Sequence, residues 1–527
     1  MLPLNRRNFL SISLAAGALP VFAPAAFAPA AFAQSAERPE LRIAVQGLPV
    51  SLEPVNAIGN VGNRITNAIF DTLIRRDFLA NDQGSATDLV PAIAASWARE
   101  DDRTLLVTIA EGVRFHNGRD VTARDVAFSF SAERIWGDSP MVPRGPLFSA
   151  QFESVEAIDD RTVRMRTTAA DWSLEKRLAS WIAWVVPEKE YREMGPEAFG
   201  LAPIGTGPYK FVEFVPGDRV VLEAFDDYYL GRPTASRVTF SVVPEIATRV
   251  AGLISGEYEM ACALGPDNIP MLSAEPEVEA RATQIENVHL YIFQCDAPVV
   301  SDKRVRRALN LALDRDLLNK ALWGGLAGIP NGFQIPAYGA VYDASRPGFA
   351  HDPELARSLL AEAGYAGEQI TFRTLNDYYV NSVAAIQMMM EMWKSVGLNV
   401  DMQILENWNQ VLEPGLQMRN WSNGFQMPDA STPLTSDWGP TGSAQTLHKW
   451  QAPVEYNELA ARVASLPDGE ERAAAYARLM DIWEDEAPGA VLYRPVEVYG
   501  VRRSINWRPV TFEFMDLRPY NLTFDQA

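Results

Sequence analysis

Apolar residues recur along the chain with two different periods, and the switches between them mark its elements. Leu105-Leu106-Val107-Thr108-Ile109 is a β-branched run and Val113-Arg114-Phe115-His116 alternates, so both predict strands. Asn117-Gly118 follows, two residues that tolerate positive φ, and predicts a turn. Thr122-Ala123-Arg124-Asp125 has the spacing of a capping box, in which hydroxyl and acid each satisfy a free backbone N–H. It predicts a helix through Val126, Phe128 and Phe130. Gly205-Thr206-Gly207-Pro208-Tyr209 predicts another turn, and Val220-Val221-Leu222 and Val238-Thr239-Phe240 predict strands beyond it.

The helical period then takes over. Val305, Leu309, Ala312 and Leu313 share one face between Asp302 and Leu322, with Asp302 placed to cap this helix and Asp314 a second one after a break. Asp352-Pro353 opens another helix, with Leu355, Leu359 and Leu360 on one face and Gly364 as its αL cap. Ile386, Met389, Met390, Trp393 and Val396 form a stripe that stops at Gly397; Met388, Met389, Met390 and Met392 predict core packing, since thioethers fill irregular gaps. Helices and strands mix throughout, which predicts an α/β chain. Pro and Gly are scattered and no repeat or low-complexity linker interrupts the sequence, so domain boundaries are unmarked.

Composition narrows the class. The chain has 527 residues, is 47% hydrophobic and 22% charged, and carries 67 acidic against 47 basic residues. That apolar content describes a globular chain, and the length allows two to four domains. A formal net charge of −20 argues against nucleic acid, because phosphate binding needs clustered Lys and Arg. The N-terminus reads as an export signal: Arg6 and Arg7 precede Phe9 and Leu10, and an apolar stretch runs from Ser11 to Ala33. The paired arginines are similar to a twin-arginine signal. Of two Ala-Phe-Ala triplets the first is followed by Pro29, which blocks the peptidase, so cleavage is expected after Ala33 and residues 1–33 are the signal peptide. Losing Arg6 and Arg7 takes the net charge from −20 to −22. The cysteines, Cys262 and Cys295, lie far from that cut, which predicts no lipid anchor; they either pair or remain two buried thiols. No second apolar run approaches the roughly 20 residues needed to span a bilayer.

Enzymatic signatures are missing. His116, His289, His351 and His448 are far apart and form no His-Glu-x-x-His, and Gly-x-Ser-x-Gly, Walker and Gly-x-Gly-x-x-Gly motifs are absent. Asp159-Asp160 and Asp226-Asp227 read as solvated turn residues. No cofactor and no catalytic residue is expected.

Five motifs occur in order. Leu89-Val90-Pro91-Ala92-Ile93-Ala94-Ala95-Ser96-Trp97 continues through Gly112-Val113-Arg114-Phe115-His116-Asn117-Gly118 to Thr122-Ala123-Arg124-Asp125-Val126. Pro203-Ile204-Gly205-Thr206-Gly207-Pro208-Tyr209 is next, then Asp302-Lys303-Arg304-Val305-Arg306-Arg307-Ala308-Leu309. The last two are Asp352-Pro353-Glu354-Leu355-Ala356-Arg357 with Leu359-Leu360-Ala361-Glu362-Ala363-Gly364-Tyr365, and Trp393-Lys394-Ser395-Val396-Gly397-Leu398-Asn399-Val400. Together they resemble family 5 extracellular solute-binding proteins, the dipeptide- and oligopeptide-binding components of ABC importers. The resemblance implies a two-lobed periplasmic binding protein of the large class with a domain inserted in lobe one. By it, lobe one holds residues 39–74, 204–295 and 499–527, the inserted domain 75–203, and lobe two 296–498. It further implies a monomer, no enzyme, that takes a peptide or other small polar solute between its lobes and delivers it to an inner-membrane permease. The alternatives are a periplasmic hydrolase with dispersed carboxylates and a metal-chelate binder on the same fold.

For the ligand, the resemblance points to two loops. Asn376-Asp377-Tyr378-Tyr379-Val380-Asn381 corresponds to a loop that in dipeptide binders supplies an arginine, and this chain has none there. Asn420-Trp421-Ser422-Asn423-Gly424-Phe425-Gln426-Met427-Pro428-Asp429 matches a stretch whose aspartate holds the peptide amine, and here Gly424 lies near that place. Both anchors of a zwitterionic dipeptide are thus absent. Aromatic faces with amides nearby suit a sugar, a sugar–amino-acid conjugate or an aromatic peptide. The expected ligand-binding residues are Tyr378, Tyr379, Asn381, Trp408, Trp421, Asn423, Phe425 and Asp429, with Tyr379 and Trp421 foremost. Asp377 and Asp429 are candidates for a ligand cation, and the segment from Asn56 to Asn63 for backbone contacts from lobe one.

Overall fold

The computed structural model describes residues 38–143, 145, 151–376 and 379–525. The export signal, and Asp377 and Tyr378 of the first candidate loop, lie outside these residues. Within them the β-branched runs assemble into a seven-stranded, a five-stranded and a four-stranded sheet, with two small ribbons.

The seven-stranded sheet runs Val278–Gln284, Val496–Arg502, Met260–Leu264, Glu40–Val45, Arg237–Val242, Arg219–Ala224, Tyr209–Val215. Glu40–Val45 is parallel to both of its neighbours, and the flanking pairs are antiparallel. The five-stranded sheet runs Asn399–Leu405, Gln369–Leu375, Met418–Gly424, Asn287–Phe293, Gly489–Tyr493. Met260–Leu264 and Asn287–Phe293 are buried along their whole length, because strands covered on both faces carry continuous apolar runs. Asn287–Phe293 falls within the 204–295 span and pairs in the five-stranded sheet. The four-stranded sheet lies within residues 75–203 and is antiparallel throughout.

Local chemistry explains most element ends. The Thr122–Asp125 capping box forms and starts the helix Ala123–Ser129. Asp302 and Asp314 accept from Arg304 N and Leu317 N and start the helices Lys303–Leu311 and Arg315–Trp323. Asp352 caps Pro353–Ala363, which ends on Gly364 at φ 71°. Ile386, Met389 and Trp393 of the helix Ser382–Ser395 are buried against the second sheet, and Trp393 Nε1 donates to Leu309 O at 2.8 Å.

Two local expectations fail. Residues 113–116 form no strand, only an isolated bridge between Arg114 and Asp120, because the turn at Asn117-Gly118 reverses the chain before a ladder can grow. Leu355 is 40% exposed although it shares the helical face of Leu359 and Leu360, as it sits in the first turn, beyond the edge of the core.

The two larger sheets are joined where the chain passes from Gln284 to Asn287 and from Tyr493 to Val496. The two crossings lie side by side, with Ile285 N donating to Pro495 O at 3.1 Å. Glu286, in the first crossing, is buried and receives both Nη groups of Arg76 at 2.7 Å. Cys262 and Cys295 are free thiols associated with different sheets. No helix among the described residues is long and apolar enough to cross a membrane.

Candidate functional site

The strand Met418–Gly424 occupies the middle of the five-stranded sheet, between Gln369–Leu375 and Asn287–Phe293. Side chains alternate across a strand, so Arg419, Trp421 and Asn423 share one face while Asn420 and Ser422 share the other. The register fixes the neighbours: Trp421 lies opposite Leu290, Asn423 opposite Val288, and Ser422 opposite His289.

On the first face aromatic rings surround a guanidinium. Trp421 packs 5.5 Å from Trp438 and 6.2 Å from His448. Arg419 Cζ lies 5.4 Å from the Trp421 ring and 5.6 Å from Trp408, so two indoles flank the cation. Asn423 Oδ1 accepts from Trp438 Nε1 at 2.8 Å. Arg419 is 7% exposed; its Nη1 donates to Asn420 O at 3.1 Å and its Nη2 to His448 Nε2 at 2.9 Å. Guanidinium only donates, so that bond makes Nε2 the acceptor and leaves the imidazole proton on Nδ1. Arg419 Nε and His448 Nδ1 are buried and find no acceptor among the described residues. Burial lowers the Arg419 pKa to about 10, and burial with the repulsion of Arg419 lowers His448 to about 3. At neutral pH the pair is a charged arginine beside a neutral histidine.

On the opposite face Tyr379 donates to Ser422 Oγ at 3.1 Å and packs 4.7 Å from the His289 ring. Burial lowers His289 to about 3. Asn420 is buried and neither amide atom has a partner among the described residues. A cavity of about 20 Å³ lies here between Tyr379, Asn420, Trp421 and Met389, large enough for one water.

The structure therefore gathers Trp408, Trp421 and Asn423 around one layer and sets Tyr379 on the other face of the same strand. Asn381 stands apart, in the αL conformation at φ 64°, and donates from Nδ2 to Leu322 O at 2.8 Å. Phe425 is fully buried in a core with Phe333 and Tyr338. Asp429 has a fully buried carboxylate bound by Arg472 and, at 2.9 Å, by Lys176; these cations hold its pKa well below the usual carboxylate range. Of the first-lobe segment, the helix Asn60–Ile69 buries Asn63, whose Oδ1 is unmatched.

Sequence reading missed Arg419 and His448. The signal for Arg419 was its place two residues before Trp421, which puts a cation on the indole's own face of a strand. His448 is separated in sequence and carried no such signal. A cleft of about 1240 Å³ contains none of the expected residues; it is lined by residues 80–83 and 85–88, residues 281–284, Arg494 and Trp507, among others.

A description of the bacterial extracellular solute-binding proteins, family 5 Middle, matches residues 88–445. The dipeptide-binding protein of Escherichia coli K12 is 24% identical over 449 residues, covering 80% of this chain and 83% of its own. Heme-binding protein A of Haemophilus influenzae is 27% identical over 441 residues, covering 76% and 78%. The solved structure of the oligopeptide-binding protein AppA from Bacillus subtilis, in complex with a nonapeptide, shares the fold at a TM-score of 0.80 and 21% identity, covering 93% of this chain and 100% of its own.

Proposed function

The chain belongs to the bacterial extracellular solute-binding proteins of family 5, and we propose that it is the periplasmic, ligand-capturing subunit of an ABC importer. One observation carries the mechanism: two separate sheets are joined by two adjacent crossings, at residues 285–286 and 494–495. Such a pair of short connections lets one lobe rotate against the other about a single line. A solute that touches both lobes favours the closed arrangement by its differential affinity, and a permease reads that state. The strands at 40–45, 209–284 and 496–502 form the core of lobe one, with 75–203 as its inserted domain; those at 287–493 form lobe two. The subunit makes and breaks no bond.

The solute contacts we assign are Trp421 and Trp408, supported by their place on either side of Arg419 on one face of a lobe-two strand, while Tyr379 lies on the other face. A dipeptide, haem and a nonapeptide appear in the names of similar proteins, so family membership leaves the ligand class open. Export through the paired arginines and cleavage after Ala33 complete the reading. Native mass spectrometry of protein purified from the periplasm tests it. A small molecule should be retained and then released unchanged on denaturation, and its rebinding should change tryptophan fluorescence. Chemical conversion of that molecule by the protein would refute the carrier role.

A further inference from the structure

Most buried arginines among the described residues meet a carboxylate or several carbonyls. Arg64, Arg76, Arg134, Arg472 and Arg518 each meet a carboxylate within 2.8 Å. Arg249 and Arg306 lack one but place their N–H groups on three and four backbone carbonyls. Arg315 has no carboxylate partner and a single carbonyl, Val491 O at 2.7 Å from its Nε, with Nη2 3.4 Å from Asn310 Oδ1 and Nη1 unmatched. Arg419 has neither arrangement: one carbonyl and one neutral imidazole are its hydrogen-bond partners, and no carboxylate among the described residues pairs with it. A guanidinium held out of water without a counter-charge is costly, so its place beside half-buried indoles calls for a charge from beyond the described residues.

We propose that Arg419 is the receptor for a carboxylate of the captured solute, with His448 as its partner and Trp408 and Trp421 as stacking faces for the apolar or sugar part of the same molecule. This rests on the solute-capture reading and names its substrate class. Arg419 Nε–H and His448 Nδ1–H are two unmatched buried donors, each able to bond an anionic oxygen. A doubly charged phosphate would need further cations, and among the described residues Arg419 is paired with only the neutral His448 here. A free ammonium group is not required, since Asp429 is already bound by Arg472 and Lys176. The solute is accordingly an acid with a flat or sugar-like body, such as an acylated amino acid or a sugar acid.

The test is calorimetric titration of the full-length mature protein with N-acetyl-tyrosine, N-acetyl-tryptophan, gluconate and glucuronate, each beside its neutral amide or alcohol, plus a matching set of phosphate monoesters. Retained solute is identified by native mass spectrometry of the same preparation. Acids should bind the wild-type protein about 10- to 100-fold more tightly than their neutral counterparts, the range of a charge-assisted hydrogen bond. Arg419→Gln should abolish that difference, and Arg419→Lys should keep part of it. Equal binding of acid and amide, an acid preference that survives in Arg419→Gln, or a preference for phosphate monoesters would overturn the assignment. Should Arg419→Gln not fold, the wild-type comparison and His448→Gln decide. A neutral retained solute overturns this inference and leaves capture standing; no retained solute with no saturable binding overturns both.

Discussion

Lys176 Nζ lies 2.9 Å from Asp429 Oδ2, and this bond ties residue segment 75–203 to the stretch that follows the strand Met418–Gly424. Lys176 also reaches Asp468 at 3.4 Å, and its side chain is about a quarter exposed. In the two-lobed reading it is a clasp between the inserted domain and lobe two. A partly exposed pair of this kind contributes about 1 kcal/mol, so Lys176→Met should speed solute dissociation about 5-fold with little change in melting temperature. Stopped-flow tryptophan fluorescence with the retained solute measures it. An unchanged dissociation rate would show that the clasp does not hold the closed state.

Asp429 itself has a different role from Lys176. Its carboxylate is fully buried and bound by Arg472, whose side chain is 1% exposed. Asp429→Ala leaves that guanidinium buried without its acid, a loss of about 3–5 kcal/mol. Because Arg472 also holds Asp468 and Val463 O, the fold is expected to survive but with a clearly lower urea midpoint. The double variant Asp429→Asn with Arg472→Met should recover part of the loss. If the double variant unfolds at or below the midpoint of the single variant, the loss does not come from stranding the Arg472 guanidinium.

Trp421 and Tyr379 separate stability from binding only with conservative changes. Trp421 packs on Trp438, and Tyr379 bonds Ser422 Oγ, so truncation to Ala removes packing as well as any ligand face. Trp421→Phe keeps a stacking ring and should lower affinity about 10-fold at nearly constant stability; Tyr379→Phe should cost about 1 kcal/mol in stability. Calorimetry and thermal melts on the same samples check both. Full affinity in Trp421→Phe would place the pocket elsewhere.

What the sequence revealed was local. The capping residues Thr122, Asp302, Asp314 and Asp352 each act on their own helix within four residues, so they were legible without the fold. The two halves of the site were not. Trp421 and Arg419 are near in sequence, but His448 and Trp438 reach them only because the chain after the strand folds back over its face. Asp429 looked available for a ligand cation because an acid in a loop is ordinarily solvated; its partners Arg472 and Lys176 are 43 and 253 residues away. Length and periodicity predicted mixed α/β structure, whereas which strand joins which sheet depends on long-range pairing that no local pattern encodes.

Glu513 offers a pH-dependent prediction at the junction itself. Its carboxyl is buried and accepts from Asn287 Nδ2 at 2.8 Å, just where the chain enters the second sheet. Burial raises its pKa to about 7 from the usual 4.5, with the neighbouring Glu497 adding to the shift and Arg64 opposing it. The folded form therefore keeps a proton through a window in which the unfolded chain has already released it. Unfolding free energy must fall as pH rises across that window: the contribution is fully present below about pH 4.5 and gone above about pH 7. At about 1.4 kcal/mol per pH unit the total is about 3 kcal/mol. Glu513→Gln retains the shape and a hydrogen-bonding carbonyl without the charge. It should match the wild type near pH 5 and exceed it in stability at pH 8. Other carboxylates, Asp429 among them, titrate in both proteins, so the difference between the two urea-unfolding curves is the readout. Parallel stability profiles from pH 5 to pH 8 would show that Glu513 does not hold a proton in the folded protein.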